Sequence, residues 1–239
     1  MSRNDRKWFL TKAKKACREN DMIQDGDSIA VGLSGGKDSS TLLYIMKALQ
    51  LELPVDFTVK PIVLDLGFDM DITPLKDYCE SLGYELKVVD TKIEKIIFDV
   101  RNEKNPCALC SNLRSGALNN EALRLNCNKV ALGHHLDDVV ETLFLNIIFT
   151  GKLATFKPKS FLDIKGITLI RPMVYLEEKI IKGIAKEKGL PEIENPCPVN
   201  KKTKREEIKV FLQGISETYP DFKQKVLTGL KNFQPENLW

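Results

Sequence analysis

The chain has 239 residues, 43% of them hydrophobic and 29% charged, with a formal net charge of +3. That length can bury a sizeable core, and the composition is that of a soluble globular protein, not of a fibrous or disordered one. The longest apolar run, Leu143–Phe149, is broken by Asn146 and falls far short of the roughly 18 residues a membrane span needs.

The opening MSRNDRKWFL is basic but lacks the apolar centre of a signal peptide. The expectation is a cytoplasmic protein with no membrane partner. Its six cysteines would then be reduced, which favours metal or redox chemistry over a disulfide scaffold.

In chain order, a basic amphipathic helix is predicted over residues 7–20, followed by a short strand, Ser28–Leu33. The next helix carries Leu42, Leu43, Ile45, Met46 and Leu49 on its apolar side. Thr58–Leu64 reads as a strand, residues 71–82 as a helix and Glu85–Val89 as a strand. A helix follows the pair Cys107 and Cys110 and ends near Leu125. Lys129–Leu132 is the next strand and residues 137–149 the next helix. Past residue 150 come one more strand, Thr168–Ile170, and helices near 176–188, 204–216 and 220–232.

Strands alternating with helices imply right-handed crossovers and an α/β, Rossmann-like parallel sheet covered by helices on both faces. Such sheets bind ligands outside the carboxyl ends of their strands. Two turns fall at those ends, Leu33–Gly36 and Gly133–His135.

The first turn reads Ser34-Gly35-Gly36-Lys37-Asp38-Ser39-Ser40. Two glycines let the backbone approach an anion closely, and the helix that follows offers unpaired N–H groups and a positive dipole end. Lys37, Ser39 and Ser40 add cationic and hydroxyl contacts. The spacing is not that of a Walker A loop: three residues separate Gly32 from Gly36, and Asp38 stands at the Ser/Thr position.

SGGKDS as a whole resembles the signature of the PP-loop ATP pyrophosphatases, which cleave ATP between the α and β phosphates. GHHLDDVVETLFLN (Gly133–Asn146) is similar to the GHxxDD segment of the tRNA-thiolating branch, and CALCSNLRSG (Cys107–Gly116) to its CxxC-x3-R segment. With Asn195-Pro196-Cys197 and the tail YPDFKQKVLTGLKNFQPENL, nearly the whole chain resembles the tRNA 2-thiocytidine synthetase (TtcA) family. The implied organisation is a basic N-terminal helix (1–24), a PP-loop domain (25–175) and a C-terminal helical extension (176–239) carrying the third cysteine.

The residues alone leave three uses open for Cys107, Cys110 and Cys197. Structural zinc wants four ligands, so His134 or His135 would have to complete the set. Persulfide chemistry needs two thiols, one of them activated. An iron–sulfur cluster with three cysteines keeps one iron open. Cys17 and Cys79 fall within predicted helices and Cys127 precedes a strand, as small buried residues would. The resemblance implies a 4Fe-4S cluster on Cys107, Cys110 and Cys197 whose open iron presents sulfur.

The resemblance further implies that ATP adenylates the C2 oxygen of an anticodon-loop cytidine, position 32, before sulfur replaces it. Ser34–Ser40 would hold the phosphates with Mg²⁺, and Asp38 would hold that metal or orient the reacting groups. Val63 and Leu64 would line the adenine pocket, and Gly133 and His134 would complete the nucleotide site. Asp137 and Arg114 would be catalytic, Arg114 by neutralising developing charge. Other readings are a 2-thiouridine synthetase, a lysidine-type ligase with structural zinc, and a non-enzymatic ATP-binding module.

Three basic stretches suit a polyanion: residues 1–18 carry seven Lys/Arg against one Asp, residues 150–175 five against one, and residues 200–210 five against two acids. They nominate Arg6, Lys7, Lys14, Lys15, Lys152, Lys157, Lys159, Lys201, Lys202 and Arg205 as tRNA phosphate contacts. The sulfur donor would be sulfide or a cysteine desulfurase, and related enzymes suggest a homodimer.

Overall fold

The computed structural model describes residues 9–68, 70–101, 106–193, 197, 204–234 and 236. Strands β1 (Asp27–Leu33), β2 (Phe57–Asp65), β3 (Lys87–Asp90), β4 (Lys129–Ala131), β5 (Lys159–Leu162) and β6 (Ile167–Ile170) form one sheet in the order β3-β2-β1-β4-β6-β5. All pairings are parallel except β5 with β6. The edge strand β5 lies outside the sequence-based reading. It has four residues with no clean alternation of burial, so its apolar pattern carries little signal.

The central strand β1 is buried almost throughout, as a parallel strand covered on both faces must be. Ile29, Val31 and Leu33 face one core, and Ala30 faces the other. The first core is closed by α1 (Phe9–Glu19), α2 (Lys37–Glu52), α3 (Thr73–Ser81) and α7 (Glu178–Lys188). In α1 the buried residues Phe9, Leu10, Ala13, Ala16 and Cys17 recur at helical spacing, leaving the basic side chains outward.

The opposite face is covered by α5 (Pro106–Arg124), which packs so closely that a β-carbon on Gly32 would stand 2.7 Å from a Leu118 methyl. The helix α5 begins at Pro106 and therefore contains the cysteine pair, where the sequence pattern placed a helix only after it. Proline is favoured in the first helical turn because its missing N–H has no acceptor there anyway. Ahead of it, α4 (Ile93–Lys95) runs into a π-helical turn, Ile96–Val100.

At the amino edge of the sheet, Lys129 Nζ donates to Asp27 Oδ2 at 2.6 Å, both side chains being buried. The same carboxylate accepts from the Gln24 amide at 2.6 Å and from Asn128 at 2.7 Å, so its lone pairs are well used. The helices α6 (Leu136–Thr150), α8 (Lys204–Thr218) and α9 (Phe222–Lys231) form a third cluster around Leu136, Val140, Ile208 and Leu212. Among the described residues no helix is long and apolar enough to cross a membrane.

Candidate functional site

The strand order reverses at β1: the chain moves outward to β2 and β3, then crosses back through α5 to β4 on the other side. A crevice opens at such a switch point because successive crossovers diverge to opposite faces. Here it is a cleft of about 510 Å³.

One wall is the turn between β1 and α2. Ser39 Oγ donates to Gly36 O at 2.8 Å and accepts from the Ser34 amide at 3.1 Å, which folds the turn onto the helix start. Gly35 has φ +84°, a left-handed conformation that a side chain disfavours. The first amides of α2 have no intrahelical acceptor and add to its positive end. Gly133, after β4, approaches the same helix start: a β-carbon there would lie 3.3 Å from the Asp38 carbonyl carbon and oxygen.

Charge at the turn is ordered by Glu178, a residue the motifs do not mark. Lys37 Nζ stands 3.1 Å from Glu178 Oε1 and 3.2 Å from Asp38 Oδ1. Glu178 also pairs with Lys182 and Lys209, each at 3.2 Å. Burial opposes the Glu178 charge, but Lys37 and Lys209 overcome it and pull its pKa down to about 2. Burial likewise opposes the Lys37 ammonium, and Asp38 and Glu178 more than offset it, raising its pKa. Asp38 Oδ1 is buried and makes no hydrogen bond among the described residues.

The facing wall is one stripe of α5. Cys107, Cys110, Ser111, Arg114, Ser115 and Leu118 all line the cleft, at helical spacing from the first cysteine. Cys197 lines it too. Burial raises the Cys110 pKa, Arg114 opposes that, and Cys197 and Cys107 add to it. Among the described residues none of the three is in a disulfide, and Cys17, Cys79 and Cys127 are buried elsewhere. Among the described residues no three His, Cys, Asp or Glu converge on a single-ion site. A soft donor set of three thiols along one open cavity does fit a multi-iron cluster.

The other nominated residues separate by strand parity and helix face. Leu64 lines the cleft, whereas Val63 points to the α2 core and is fully buried. His134 lines the cleft beside Asp138. Asp137 turns away: its carboxylate accepts from the Glu178 amide at 2.7 Å and from Lys223 of α9. It thus ties the starts of α6 and α7 together, while Asp138 accepts from the His135 amide at 2.9 Å and pairs with Arg205 at 3.1 Å.

Of the basic residues nominated for RNA, Lys152 and Lys157 are exposed. Lys14 pairs with Glu52, Lys15 with Glu19 and Lys159 with Asp21. Arg6, Lys7, Lys201 and Lys202 lie outside the described residues, as do Asn195 and Pro196. Phe68 and Phe98, which no motif marks, form an edge-to-face pair at 6.2 Å in the cleft lining. Phe98 sits on the π-helical turn, a distortion frequent at functional sites.

Residues 7–213 match the family model for the PP-loop domain. The tRNA-cytidine(32) 2-sulfurtransferase of Dechloromonas aromatica is 39% identical over 238 residues, covering 98% of this chain and 82% of that protein. The enzyme of the same name from Pelobacter propionicus is 38% identical over 230 residues, covering 94% and 85%. Among solved structures, the U34-tRNA thiolase NcsA from Methanococcus maripaludis, determined with its 4Fe-4S cluster, superposes with a TM-score of 0.74 at 25% identity, covering 94% of this chain and 78% of that one.

Proposed function

The chain belongs to the PP-loop family of tRNA-cytidine(32) 2-sulfurtransferases, and on that premise we propose that its cleft activates a tRNA cytidine with ATP and replaces an oxygen by sulfur in the same place. The observation that carries this reading is a shared cavity: Ser34, Asp38 and Ser39 of the glycine turn, Arg114 and the three thiols of Cys107, Cys110 and Cys197 line a single cleft.

A pyrimidine C2 oxygen is a poor leaving group until it is esterified. In the proposed sequence the cytidine C2 oxygen attacks the α-phosphorus of ATP, and the bond from that phosphorus to the bridging oxygen breaks to release pyrophosphate. Sulfur at the sulfide level then bonds to C2, and the C2–O bond breaks to release AMP. Phosphoryl transfer of this kind depends on positioning and charge neutralisation.

The Ser34–Ser40 turn and Lys37 would hold the phosphates, and Leu64 would wall the adenine. Asp38 Oδ1, buried and without a hydrogen bond but facing the Lys37 ammonium at 3.2 Å, would take Mg²⁺ once that ammonium turns to a phosphate. Arg114, on the cysteine stripe, would neutralise the departing AMP phosphate. Asp137 would act at one remove, by fixing the Glu178 amide and so the carboxylate that orients Lys37. A 4Fe-4S cluster held by Cys107, Cys110 and Cys197, with one iron left open, would supply the sulfur. The basic stretches around α1, β5 and α8 would position tRNA through its phosphates. Sulfide would renew the sulfur directly, whereas a cysteine desulfurase persulfide would do so with two electrons from a thiol reductant, its outer sulfur being at the sulfane level; the enzyme would act in the cytoplasm as a dimer.

The deciding measurement is mass analysis of tRNA nucleosides from cells lacking the protein. Selective loss of 2-thiocytidine is expected, and unchanged 2-thiocytidine refutes the assignment. In vitro, Asp38→Asn should lower tRNA-dependent pyrophosphate release about 100-fold.

A further inference from the structure

Arg171 follows β6 and is buried, with 7% of its surface exposed. No carboxylate pairs with it among the described residues. Its Nη1 donates to the Lys157 carbonyl at 2.7 Å, and its guanidinium lies over the Phe156 ring at 4.8 Å. Its Nε donates to His134 Nδ1 at 3.3 Å, and the His134 ring packs on the same Phe156 at 4.9 Å. Burying a guanidinium without an acid is costly, so this arrangement calls for a use.

The chemistry of the contact is one-sided. Arginine has only donors, so His134 Nδ1 has to be the acceptor and its proton sits on Nε2. Protonating Nδ1 would set one N–H against another. His134 lines the cleft, whereas Arg171, Phe156 and Lys157 lie outside the lining. The Nδ1 edge is therefore the edge turned from the cleft. Titratable or charged groups facing the ring include Asp138, Arg171, Arg205 and His135, and Asp38 lies across the same cavity. Burial is the largest influence and lowers the His134 pKa; Asp138 opposes it, Arg171, Arg205 and His135 reinforce it, and the result is about 4.

We propose that Arg171 is a positioning residue which locks His134 as the neutral Nε2–H tautomer, so that His134 offers a phosphate of bound ATP a fixed hydrogen-bond donor. The proposal rests on the nucleotide reading of the cleft. It makes His134 neither a general base nor a cation at neutral pH, and it keeps the contact constant where an ordinary histidine would titrate.

The chain has two histidines, so imidazole ¹⁵N–¹H correlation spectra are simple, and His134→Gln assigns them by removing one set. The expected result for the wild-type protein is an Nε2–H pattern for His134 that does not titrate between about pH 5.5 and 8.5, with its Nε2–H signal shifting on addition of ATP. Arg171→Met should let both tautomers appear and bring titration back toward the ordinary range. His134→Gln, whose amide can donate from near Nε2, should keep at least about tenfold more pyrophosphate release than His134→Ala. A proton on Nδ1 in the wild-type protein, or titration with an ordinary histidine midpoint, overturns the proposal whether or not the variants fold. Calorimetric ATP binding without any His134 shift overturns the phosphate contact alone. Absence of ATP binding overturns the nucleotide reading and the contact with it.

Discussion

The amide of Ile193 donates to the carbonyl of Gly35 at 2.8 Å, fastening the segment that follows α7 to the glycine turn. A second bond, from Ser40 Oγ to the Pro191 carbonyl at 2.8 Å, holds the same segment to the fourth residue of α2. Cys197 is four residues beyond Ile193. The glycine turn and the third thiol are thus joined by a short length of chain.

Ordering the turn with ATP should therefore change Cys197. In metal-free protein, ATP is expected to slow alkylation of Cys197, read by peptide mass spectrometry, with buried Cys17 as an unreactive control. Gly35→Ala should weaken ATP binding about tenfold or more, since its φ of +84° is strained for alanine and its β-carbon would meet Ile193 Cβ at 3.3 Å. The same substitution should remove the ATP effect on Cys197. Equal protection of Cys197 in both proteins would sever the link.

The cysteines divide into two sets by position. Replacing Cys107, Cys110 or Cys197 by Ala should each abolish iron retention after anaerobic reconstitution, measured as iron and acid-labile sulfide per chain. Cys17→Ala and Cys127→Ala should retain both, because those thiols are packed away from the cleft. Retention of a full iron complement by Cys197→Ala would contradict the ligand set.

The pH dependence of stability has a specific source in α6. Burial, the largest influence, lifts the Glu141 carboxyl to about 7; Asp138 and Asp137 add to this, and Arg205 and Lys209 oppose it. The folded value lies above the unfolded one, so the folded state binds the extra proton. Stability from that group is full below the unfolded carboxyl range and is lost as pH rises through about 7. Glu141→Gln should match the wild-type Tm near pH 5 and exceed it near pH 8, by up to about 3 kcal/mol, or several degrees. An equal Tm difference at both pH values would remove Glu141 as the cause.

Lys129→Met should be costly because it leaves the Asp27 carboxylate buried with two neutral donors. A loss of about 3–5 kcal/mol is expected in urea unfolding, partly recovered in the double variant with Asp27→Asn. The pair lies at the amino edge of the sheet, opposite the cleft, so the ATP KM should not move. A raised ATP KM in the folded Lys129→Met protein would show that the two edges are coupled.

Much of this site is written in short-range spacing. Once the helix is known to begin at Pro106, the stripe from Cys107 through Cys110 to Arg114 and Leu118 follows from 3.6 residues per turn. Alternation along β2 could have separated Leu64 from Val63, since adjacent strand residues face opposite sides. Glu178 and Arg171 left no such trace. Each is a common charged residue beside an element end, and its importance comes from what other loops bring to it. Asp137 and Asp138 are indistinguishable in a line of text; only the packing of α7 and α9 on one side and the cleft on the other assigns them different partners.

By itself, the sequence determined the strand–helix alternation and the glycine-rich turn that joins the first strand to its helix, because backbone geometry within an element turns spacing into direction. The family resemblance already grouped Cys197 with Cys107 and Cys110; the tertiary structure decided that all three line one cleft, that Ile193 clasps the turn and that Arg171 donates to His134 Nδ1. Those contacts bridge large sequence separations, and their geometry is set by which crossovers close beside β1 and β4 rather than by any local pattern.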